Sequence, residues 1–143
     1  MTTIVDASVV VDWIAPDVGV TAPAVALLDR LAQREESLAA PRLLLHEVAN
    51  ALLTGIRRER WSGAQADAAH RHLHRLPIRL ADEPADAARA FELARRYDEH
   101  PVYDMVYLAM AERMSSTLVT ADSRLLARVP HLSYVVDVDT AGR

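Results

Sequence analysis

The chain has 143 residues, of which 51% are hydrophobic and 25% charged, and its formal net charge is −4 at pH 7. This length favours a single domain with one buried core. Cysteine is absent, which excludes disulfides, thiol catalysis and cysteine-ligated zinc. All 16 basic residues are arginine, which excludes Schiff-base and P-loop lysine chemistry. A negative net charge is unusual for a protein that coats duplex DNA, although bound divalent cations can reverse the charge locally.

The apolar segments are too short to cross a membrane. None of them approaches the roughly 18 consecutive apolar residues that a spanning helix needs. The first apolar run is interrupted by Asp6 and Asp12 and has no basic segment before it, which argues against a signal peptide. We therefore expect a cytoplasmic protein.

The first predicted element is a short buried strand that ends at Asp6 and leads into an apolar helix from Val9 to Ile14. In open α/β sheets, ligands bind in the crevice beyond the carboxyl ends of the strands. Asp6 lies where such a crevice opens. The alternative interpretation is an N-cap, in which the carboxylate accepts a hydrogen bond from the first free amides of the helix.

Helices and short strands alternate along the rest of the chain. The predicted helices span residues 23–36, 42–60, 84–97, 102–114 and 122–127, and a further helix begins at a capping box formed by Ser62 and Gln65. The predicted strands span residues 37–41, 77–80, 117–120 and 133–136. This alternation indicates βαβ crossovers, and it predicts one α/β domain over residues 1–143, with helices on both faces of a parallel sheet of four to five strands.

Four acidic residues occupy positions where a solvated charge is not expected. Asp104 is the only charged residue in the segment Val102–Ala111, and a helix that is apolar nearly all round is packed on most sides. Glu47 shares the apolar stripe of its helix. Asp122, like Asp6, directly follows a predicted strand. The carboxylate of Asp104, in its apolar helix, therefore needs a partner.

Each acid also has a structural interpretation that the sequence leaves open. Asp104 lies in the first turn of its helix, where the helix dipole favours an acid. Glu47 could pair with Arg42 or Arg57 on the same helix. Asp122 could simply cap the short helix that follows it.

Considered together, the four acids predict a shared site. Asp6 and Asp122 follow strands whose carboxyl ends lie at one edge of a parallel sheet, and the helices of Glu47 and Asp104 pack against such a sheet. Two carboxylates about 4 Å apart repel by roughly 4 kcal/mol at an effective dielectric of 20, and the chain has no lysine to neutralise them. Divalent cations remove this repulsion most simply. Carboxylate oxygens without thiolates favour Mg²⁺ or Mn²⁺ over Zn²⁺, and such sites support phosphoryl chemistry.

The segments that contain these acids resemble those of the PIN-domain ribonucleases, and most closely the VapC-type toxins of bacterial toxin–antitoxin pairs. The matching segments follow the order of the family and are Ile4–Ser8, Glu47–Leu52, Val102–Glu112 and Leu118–Asp122. The resemblance therefore spans almost the entire chain.

The resemblance implies a role for each matched residue. The acids implied to be catalytic and to bind Mg²⁺ or Mn²⁺ are Asp6, Glu47, Asp104 and Asp122. The polar residues implied to support them are Ser8, Asn50 and Thr120. The implied function is a metal-dependent endoribonuclease in which an activated water cleaves RNA to leave a 5′-phosphate and a 3′-hydroxyl. The resemblance further implies a homodimer and a VapB-like antitoxin that obstructs the acidic site.

Two positions depart from the pattern of the family. Met105 is bulkier than the small residue expected after Asp104, and Ser115-Ser116 stands where a glycine often precedes the fourth strand. Neither change removes an acid, so both concern the fit of the substrate more than the activity.

Two other functions remain open. A Mg²⁺-dependent phosphoacceptor or phosphatase would use an aspartate at a strand end, but those proteins rely on a lysine, and the dehalogenase-type phosphatases carry a second aspartate where this chain has Ser8. A non-catalytic PIN-like protein would hold RNA or a partner without cutting it. The segment His70–Arg75 is interpreted as a solvated helix surface.

Overall fold

The computed structural model describes residues 1–19 and 21–142. Within these residues, the strands of a single sheet are β1 (Thr2–Val5), β2 (Ser37–Ala40), β3 (Ile78–Leu80), β4 (Thr117–Thr120) and β5 (Val135–Asp137). Their order across the sheet is β3-β2-β1-β4-β5, and every neighbouring pair is parallel. The connections between parallel strands must cross over the sheet, and helices provide these crossovers.

Helices flank the sheet. Those within the described residues are α1 (Ala7–Ile14), α2 (Pro23–Gln33), α3 (Leu43–Arg57), α4 (Gly63–Leu73), α5 (Pro84–Arg96), α6 (Val102–Arg113), α7 (Ser123–Arg128) and α8 (Val138–Ala141). Helix α1 packs against α3 and α4, whereas α5 packs on α6. None of these described helices is long and apolar enough to cross a membrane. The parallel α/β fold predicted from the sequence is confirmed, with five strands.

The core lies around the two central strands and α6. Ile4 of β1 and Leu118 of β4 are fully buried, as expected for strands that are covered on both faces. Helix α6 packs against both of these strands, and its residues 107–111 are buried without interruption. Its apolar sequence thus reflects burial on most sides, and Asp104 in its first turn is held close to the end of β1.

The turn between α3 and α4 depends on a glycine. The indole of Trp61 lies directly on Gly55, and its Nε1 donates a 2.9 Å hydrogen bond to the carbonyl of Leu52. A Cβ atom added to Gly55 would overlap the Cζ2 atom of Trp61. The predicted capping box at the start of α4 is confirmed, since Ser62 and Gln65 each bond the backbone amide of the other.

Several helix boundaries differ from the predictions. Helix α1 begins two residues earlier than predicted, because Asp6 caps it. Helix α2 ends at Gln33 and not at Glu36, since Glu35 has a φ of 54° and leaves the helical conformation. Helix α3 likewise ends before Glu59, which has a φ of 59°.

The carboxyl-terminal elements also differ. Strand β5 begins at Val135, although the predicted range was 133–136. The amide of Val135 donates to the carbonyl of Leu132, so the residues between them lie in a turn and not in the strand. Helix α8 was not predicted. It is capped by Asp137, whose carboxylate accepts a 2.9 Å hydrogen bond from the amide of Asp139.

Candidate active site

A cleft of about 400 Å³ opens beyond the carboxyl ends of β1 and β4. From β1 the sheet continues to β2 on one side and to β4 on the other, so the cleft lies at the topological switch point of the sheet. Its polar lining consists of Asp6, Ser8, Asp12, Glu47, Asp104 and Asp122. The structure therefore brings all four predicted acids to one cleft, together with a fifth acid that the sequence analysis did not select.

Asp6 is buried where β1 passes into α1. Its Oδ1 accepts a 2.9 Å hydrogen bond from the amide of Ala7, so Asp6 is also the N-cap of the helix. Its Oδ2 accepts from the hydroxyls of Ser8 and Thr120, each at 2.8 Å. Burial raises the pKa of Asp6, the two hydroxyl hydrogen bonds lower it, and the charge of Asp104 raises it again. The N-cap interpretation is thus correct but does not account for the whole environment of this carboxylate.

The hydroxyls of Ser8 and Thr120 are oriented by the backbone that follows β4. The Oγ of Ser8 accepts from the amide of Ala121, and the Oγ1 of Thr120 accepts from the amide of Asp122, both at 3.0 Å. Because each hydroxyl oxygen already accepts from an amide, its own hydrogen is available to donate to Asp6. These two residues, which the resemblance implied as supporting groups, fix the position of the Asp6 carboxylate.

Glu47 reaches the cleft from α3 and is half-buried. Its Oε1 accepts a 2.7 Å hydrogen bond from the phenol of Tyr107, which is fully buried in α6. Burial is the main reason that the pKa of Glu47 is raised to about 7, and the charges of Asp6 and Asp104 raise it further against the lowering effect of the phenol. Burial and the charge of Glu47 raise the pKa of Tyr107, so the phenol keeps its proton and acts as a donor.

The arginines considered as partners for Glu47 are engaged elsewhere. Arg42 pairs with Asp82 at 3.3 Å, and Arg57 donates to the hydroxyl of Thr54 at 2.9 Å. Among the described residues, the donors that contact Glu47 and Asp6 are a phenol, two hydroxyls and a backbone amide, all of them neutral. No arginine of residues 1–142 therefore matches the negative charge of these two carboxylates.

Asp104 lies in the first turn of α6 and is bonded to a histidine. The Nε2 of His100 is 2.6 Å from Oδ2 of Asp104, and because an ionised carboxylate only accepts, we assign the hydrogen to the ring nitrogen. His100 is buried and follows Asp98 and Glu99, which have φ angles of 54° and 58°. Two successive left-handed residues without glycine are strained, and strain of this kind is concentrated at functional sites.

Asp122 caps α7 and lines the cleft at the same time. Its Oδ1 accepts from the amides of Arg124 at 2.9 Å and Leu125 at 3.4 Å. The Nε of Arg124 also lies near this oxygen, at a distance of 3.8 Å. Within residues 1–19 and 21–142, these contacts all involve Oδ1, which leaves Oδ2 available to the cleft. The N-cap interpretation and a role in the cleft are compatible.

Asn50 lies apart from the other predicted residues. It is exposed on α3 and does not line the cleft. The described part of the chain contains no hydrogen bond from Asn50 to the acids. No contact in these residues therefore supports the role that the resemblance implies for Asn50. Its position is that of a surface amide.

Three residues of the site were not selected from the sequence as functional residues: Tyr107, His100 and Asp12. Asp12 follows Ser8 by four residues on α1, and this spacing places both on one face of the helix, a signal that could have identified it. Its pKa is raised by burial and by the charge of Asp17, and lowered by the charge of Arg60.

The residues of the cleft fit a hard divalent cation. No three acidic or histidine side chains of the described residues form a closed metal cage by themselves. Mg²⁺, however, takes only one or two protein carboxylates directly and keeps several waters. The cleft offers such an ion oxygen ligands, and its carboxylates raise the pKa of one another. Within the described residues, the groups that bond Asp6 and Glu47 are neutral, which leaves negative charge for the ion to balance.

Comparison with known proteins identifies related folds. The family model described as the PIN domain matches residues 3–132. PAE2754 from Pyrobaculum aerophilum is 26% identical, with a TM-score of 0.69 over 99% of this chain and 93% of that one. No curated protein sequence gives a significant match.

Two further structures share the fold at lower identity. VapBC2 from Rickettsia felis, solved with a DNA fragment from its promoter, is 14% identical, with a TM-score of 0.66 over 96% of this chain and 97% of that one. FitAcB from Neisseria gonorrhoeae is 20% identical, with a TM-score of 0.61 over 94% and 95% of the two chains. Since the family model spans nearly the whole chain and the fold agrees with it, the protein belongs to the PIN domain family.

Proposed function

We propose that this protein is a Mg²⁺- or Mn²⁺-dependent endoribonuclease and the toxin of a VapBC-type toxin–antitoxin pair. The observation that carries the proposal is the meeting of the four acids in one open cleft, where no arginine of the part of the chain that the structure describes is bonded to Asp6 or Glu47. PIN domains are generally nucleases, and membership of the family supports a hydrolase that acts on nucleic acids. The preference for RNA over DNA rests on the resemblance to the VapC-type toxins.

The proposed metal ligands are Asp6, Glu47, Asp104 and Asp122, directly or through water. A bound divalent cation supplies Lewis acidity at the scissile phosphate and lowers the pKa of water. The chain itself keeps the carboxylates oriented: Thr120 holds Asp6, Tyr107 holds Glu47, and no side chain need act as the nucleophile. The expected products carry a 5′-phosphate and a 3′-hydroxyl.

The proposed partners follow from the related structures. VapBC2, FitAcB and a toxin–antitoxin complex from Klebsiella pneumoniae share the fold, which supports a cognate VapB-like antitoxin for this chain. We further propose that the protein is a homodimer, that it acts in the cytoplasm, and that the antitoxin covers the acidic cleft.

The phosphoacceptor alternative has less support from the geometry of Asp6. Both of its carboxylate oxygens accept hydrogen bonds within the chain, two of them at Oδ2. A phosphoacceptor needs an oxygen that is free to attack, and Ser8 occupies the position of the second aspartate of the dehalogenase-type phosphatases.

The proposal is tested by incubating the purified protein with total RNA in Mg²⁺, Mn²⁺ or EDTA. Asp6→Asn and Asp104→Asn should each lower the cleavage rate by about 100-fold or more, because each removes a carboxylate from the cleft. The matched control is Asp67→Asn, which changes an exposed aspartate on α4. Cleavage that survives EDTA, or an Asp6→Asn protein that cuts like the parent, would overturn the proposed metal mechanism. A parent protein that binds RNA without cutting it would favour the non-catalytic alternative.

A further inference from the structure

A second cavity, of about 650 Å³, adjoins the acidic cleft. Asp104 lines both spaces, so the two lie on either side of this residue. The other polar groups around the second cavity are Asp98, His100, Arg124 and Arg128. Its volume falls within the range of about 300–1,000 Å³ that is typical of sites for small organic ligands, which includes the size of a nucleotide.

The two arginines lie on one face of α7. Arg124 and Arg128 are four residues apart, which places them one above the other on the helix. The side chain of Arg124 is 89% exposed, and its Nε lies 3.8 Å from Asp122, too far for a hydrogen bond. Its guanidinium is therefore open to solvent on the wall of the second cavity, with donors available for a bidentate contact to phosphate.

Arg128 is held by a weak partner. It pairs with Asp98 at 2.9 Å, but the Asp98 side chain is 88% exposed. Exposed ion pairs contribute little to stability, so a phosphate can replace Asp98 as the partner of Arg128. Asp98 thus competes with any anion that enters this cavity.

The two cavities differ in charge, and this difference suits a nucleic-acid strand with a divalent cation at one phosphate only. The acidic cleft suits the phosphate that carries the cation, and the second cavity suits its neighbour. Among the described residues that line them, the permanently positive side chains are Arg124 and Arg128, and both belong to the second cavity. The acidic cleft repels every phosphate that no cation neutralises. A neighbouring phosphate of the same strand therefore finds its favourable partners along α7.

We propose that the cavity between α7 and the start of α6 is a subsite for the nucleotide next to the scissile phosphate of an RNA strand, and that Arg124 and Arg128 bind its backbone phosphate. This inference rests on the proposed function, since it places the strand relative to the acidic cleft. Pro101 and Ala127 form the apolar part of the wall, against which the sugar or base packs.

The subsite is tested by binding, separately from cleavage. A fluorescein-labelled single-stranded RNA of ten nucleotides is titrated, in Mg²⁺ and at several salt concentrations, with Asp6→Asn protein that carries a second substitution. Arg124→Ala and Arg128→Ala should each weaken binding about tenfold and reduce the slope of log K against log salt by about 0.7, the value for one lost phosphate contact on a single strand. The matched control is Arg71→Ala, an exposed arginine on α4.

Asp98→Asn provides a test in the opposite direction. Asparagine also tolerates a positive φ, so the loop is preserved while the competing charge is removed. RNA should then bind about threefold more tightly, because Arg128 no longer has to be released from Asp98. Arg124→Ala and Arg128→Ala proteins that bind like the control, or an Asp98→Asn protein that binds more weakly, would overturn the subsite.

Cleavage kinetics of proteins that keep Asp6 separate this inference from the proposed function. With Asp6 intact, Arg124→Ala should raise KM for the RNA about tenfold and change kcat little, as expected for a binding contact away from the reacting atoms. If the parent does not cleave RNA at all, the proposed function fails. The titrations of fluorescein-labelled RNA, followed by fluorescence anisotropy, still decide whether the two arginines bind the strand.

Discussion

The phenol of Tyr107 donates a 2.7 Å hydrogen bond to Oε1 of Glu47 from a fully buried position, across 60 residues of sequence. A buried neutral donor of this kind stabilises the ionised form of the carboxylate and fixes its direction. The bond therefore links the packing of α6 directly to the side chain that α3 contributes to the cleft.

Replacing Tyr107 with phenylalanine removes only this hydroxyl. We expect the affinity for Mn²⁺ to fall about tenfold, as is typical when a group that orients a metal ligand is lost. Isothermal titration calorimetry at neutral pH measures this change, and Tyr103→Phe, at an exposed position of the same helix, is the control. A Tyr107→Phe protein with a lower melting temperature but unchanged Mn²⁺ affinity would show that the phenol only fills the core.

The raised pKa of Glu47 predicts how the stability of the metal-free protein depends on pH. Its pKa is about 7 in the folded protein and 4.5 ordinarily, so at intermediate pH the folded state binds a proton that the unfolded chain has released. The free energy of unfolding must then decrease as pH rises through this interval. Asp6 contributes in the same direction, because its pKa is also raised.

Differential scanning fluorimetry in EDTA, between about pH 5 and pH 8, should show a falling melting temperature. Glu47→Gln keeps the acceptor for Tyr107 but cannot ionise, so the fall should be shallower in this variant. Mn²⁺ should restore the stability of the parent at the upper end of the range and not that of Glu47→Gln. An identical pH profile for the two proteins would contradict the assignment of the raised pKa to Glu47.

Gly55 predicts a large effect from the addition of one methyl group. Alanine favours a helix over glycine by about 1 kcal/mol, but here its Cβ would overlap the indole of Trp61. We expect Gly55→Ala to lower the free energy of unfolding by about 1–3 kcal/mol, as overpacking does elsewhere. Urea denaturation measures this, and Gly63→Ala is the control, because nothing lies within 4 Å of a Cβ there. Equal stabilities would mean that the indole moves aside.

Asp86 ties α5 to α6 through a buried carboxylate. It accepts from Nε of Arg113 at 2.8 Å and Nη2 at 2.9 Å, and its Oδ2 also accepts from the amide of Glu83. Asp86→Ala should lower the free energy of unfolding by about 2–3 kcal/mol, since it removes two hydrogen bonds of Arg113 and a helix cap, while Arg113 keeps its contacts to Ala81 and Glu83. Asp67→Ala, on the exposed face of α4, should change stability by less than about 0.5 kcal/mol.

The same ion pair predicts sensitivity to acid. The hydrogen bonds from Arg113 hold the pKa of Asp86 below its usual range. A lowered pKa in the folded state stabilises the protein above the ordinary pKa of aspartate, and this stabilisation is lost as pH falls through the folded-state value. Urea titrations at pH values below the ordinary aspartate pKa of 3.8 should therefore bring the parent and Asp86→Ala closer together. A difference that widens in acid would contradict this assignment.

Local patterns were sufficient to predict most of the fold. Alternating strands and helices predicted a parallel sheet, and the capping box at Ser62 predicted the start of α4. The strand order could not be predicted, because the pairing of β1 with β4 depends on contacts between residues more than 100 positions apart. The glycine expected near Ser115 has a physical explanation, since Ser115 has a φ of 49°, a conformation that glycine adopts more easily.

The acids of the site were found from the sequence, but their partners were not. An acid in an apolar helix is conspicuous in one sequence, as Asp104 is. The donor to Glu47 is far away in the chain, so periodicity carries no sign of Tyr107. His100 precedes the predicted start of its helix at Pro101, and the four-residue spacing to Asp104 therefore gave no expectation of a contact.

One hydroxyl that donates a hydrogen bond to Asp6 belongs to Thr120, which is 114 residues further along the chain. When β1 emerges from the ribosome, β4 has not yet been synthesised. The edge of β1 that pairs with β4 in the folded protein therefore has no partner in the nascent chain. The acidic cleft can form only once most of the polypeptide has been synthesised. Truncated translation products that stop before Thr120 consequently lack both Asp122 and the hydroxyl that orients Asp6, and cannot assemble the acidic cleft.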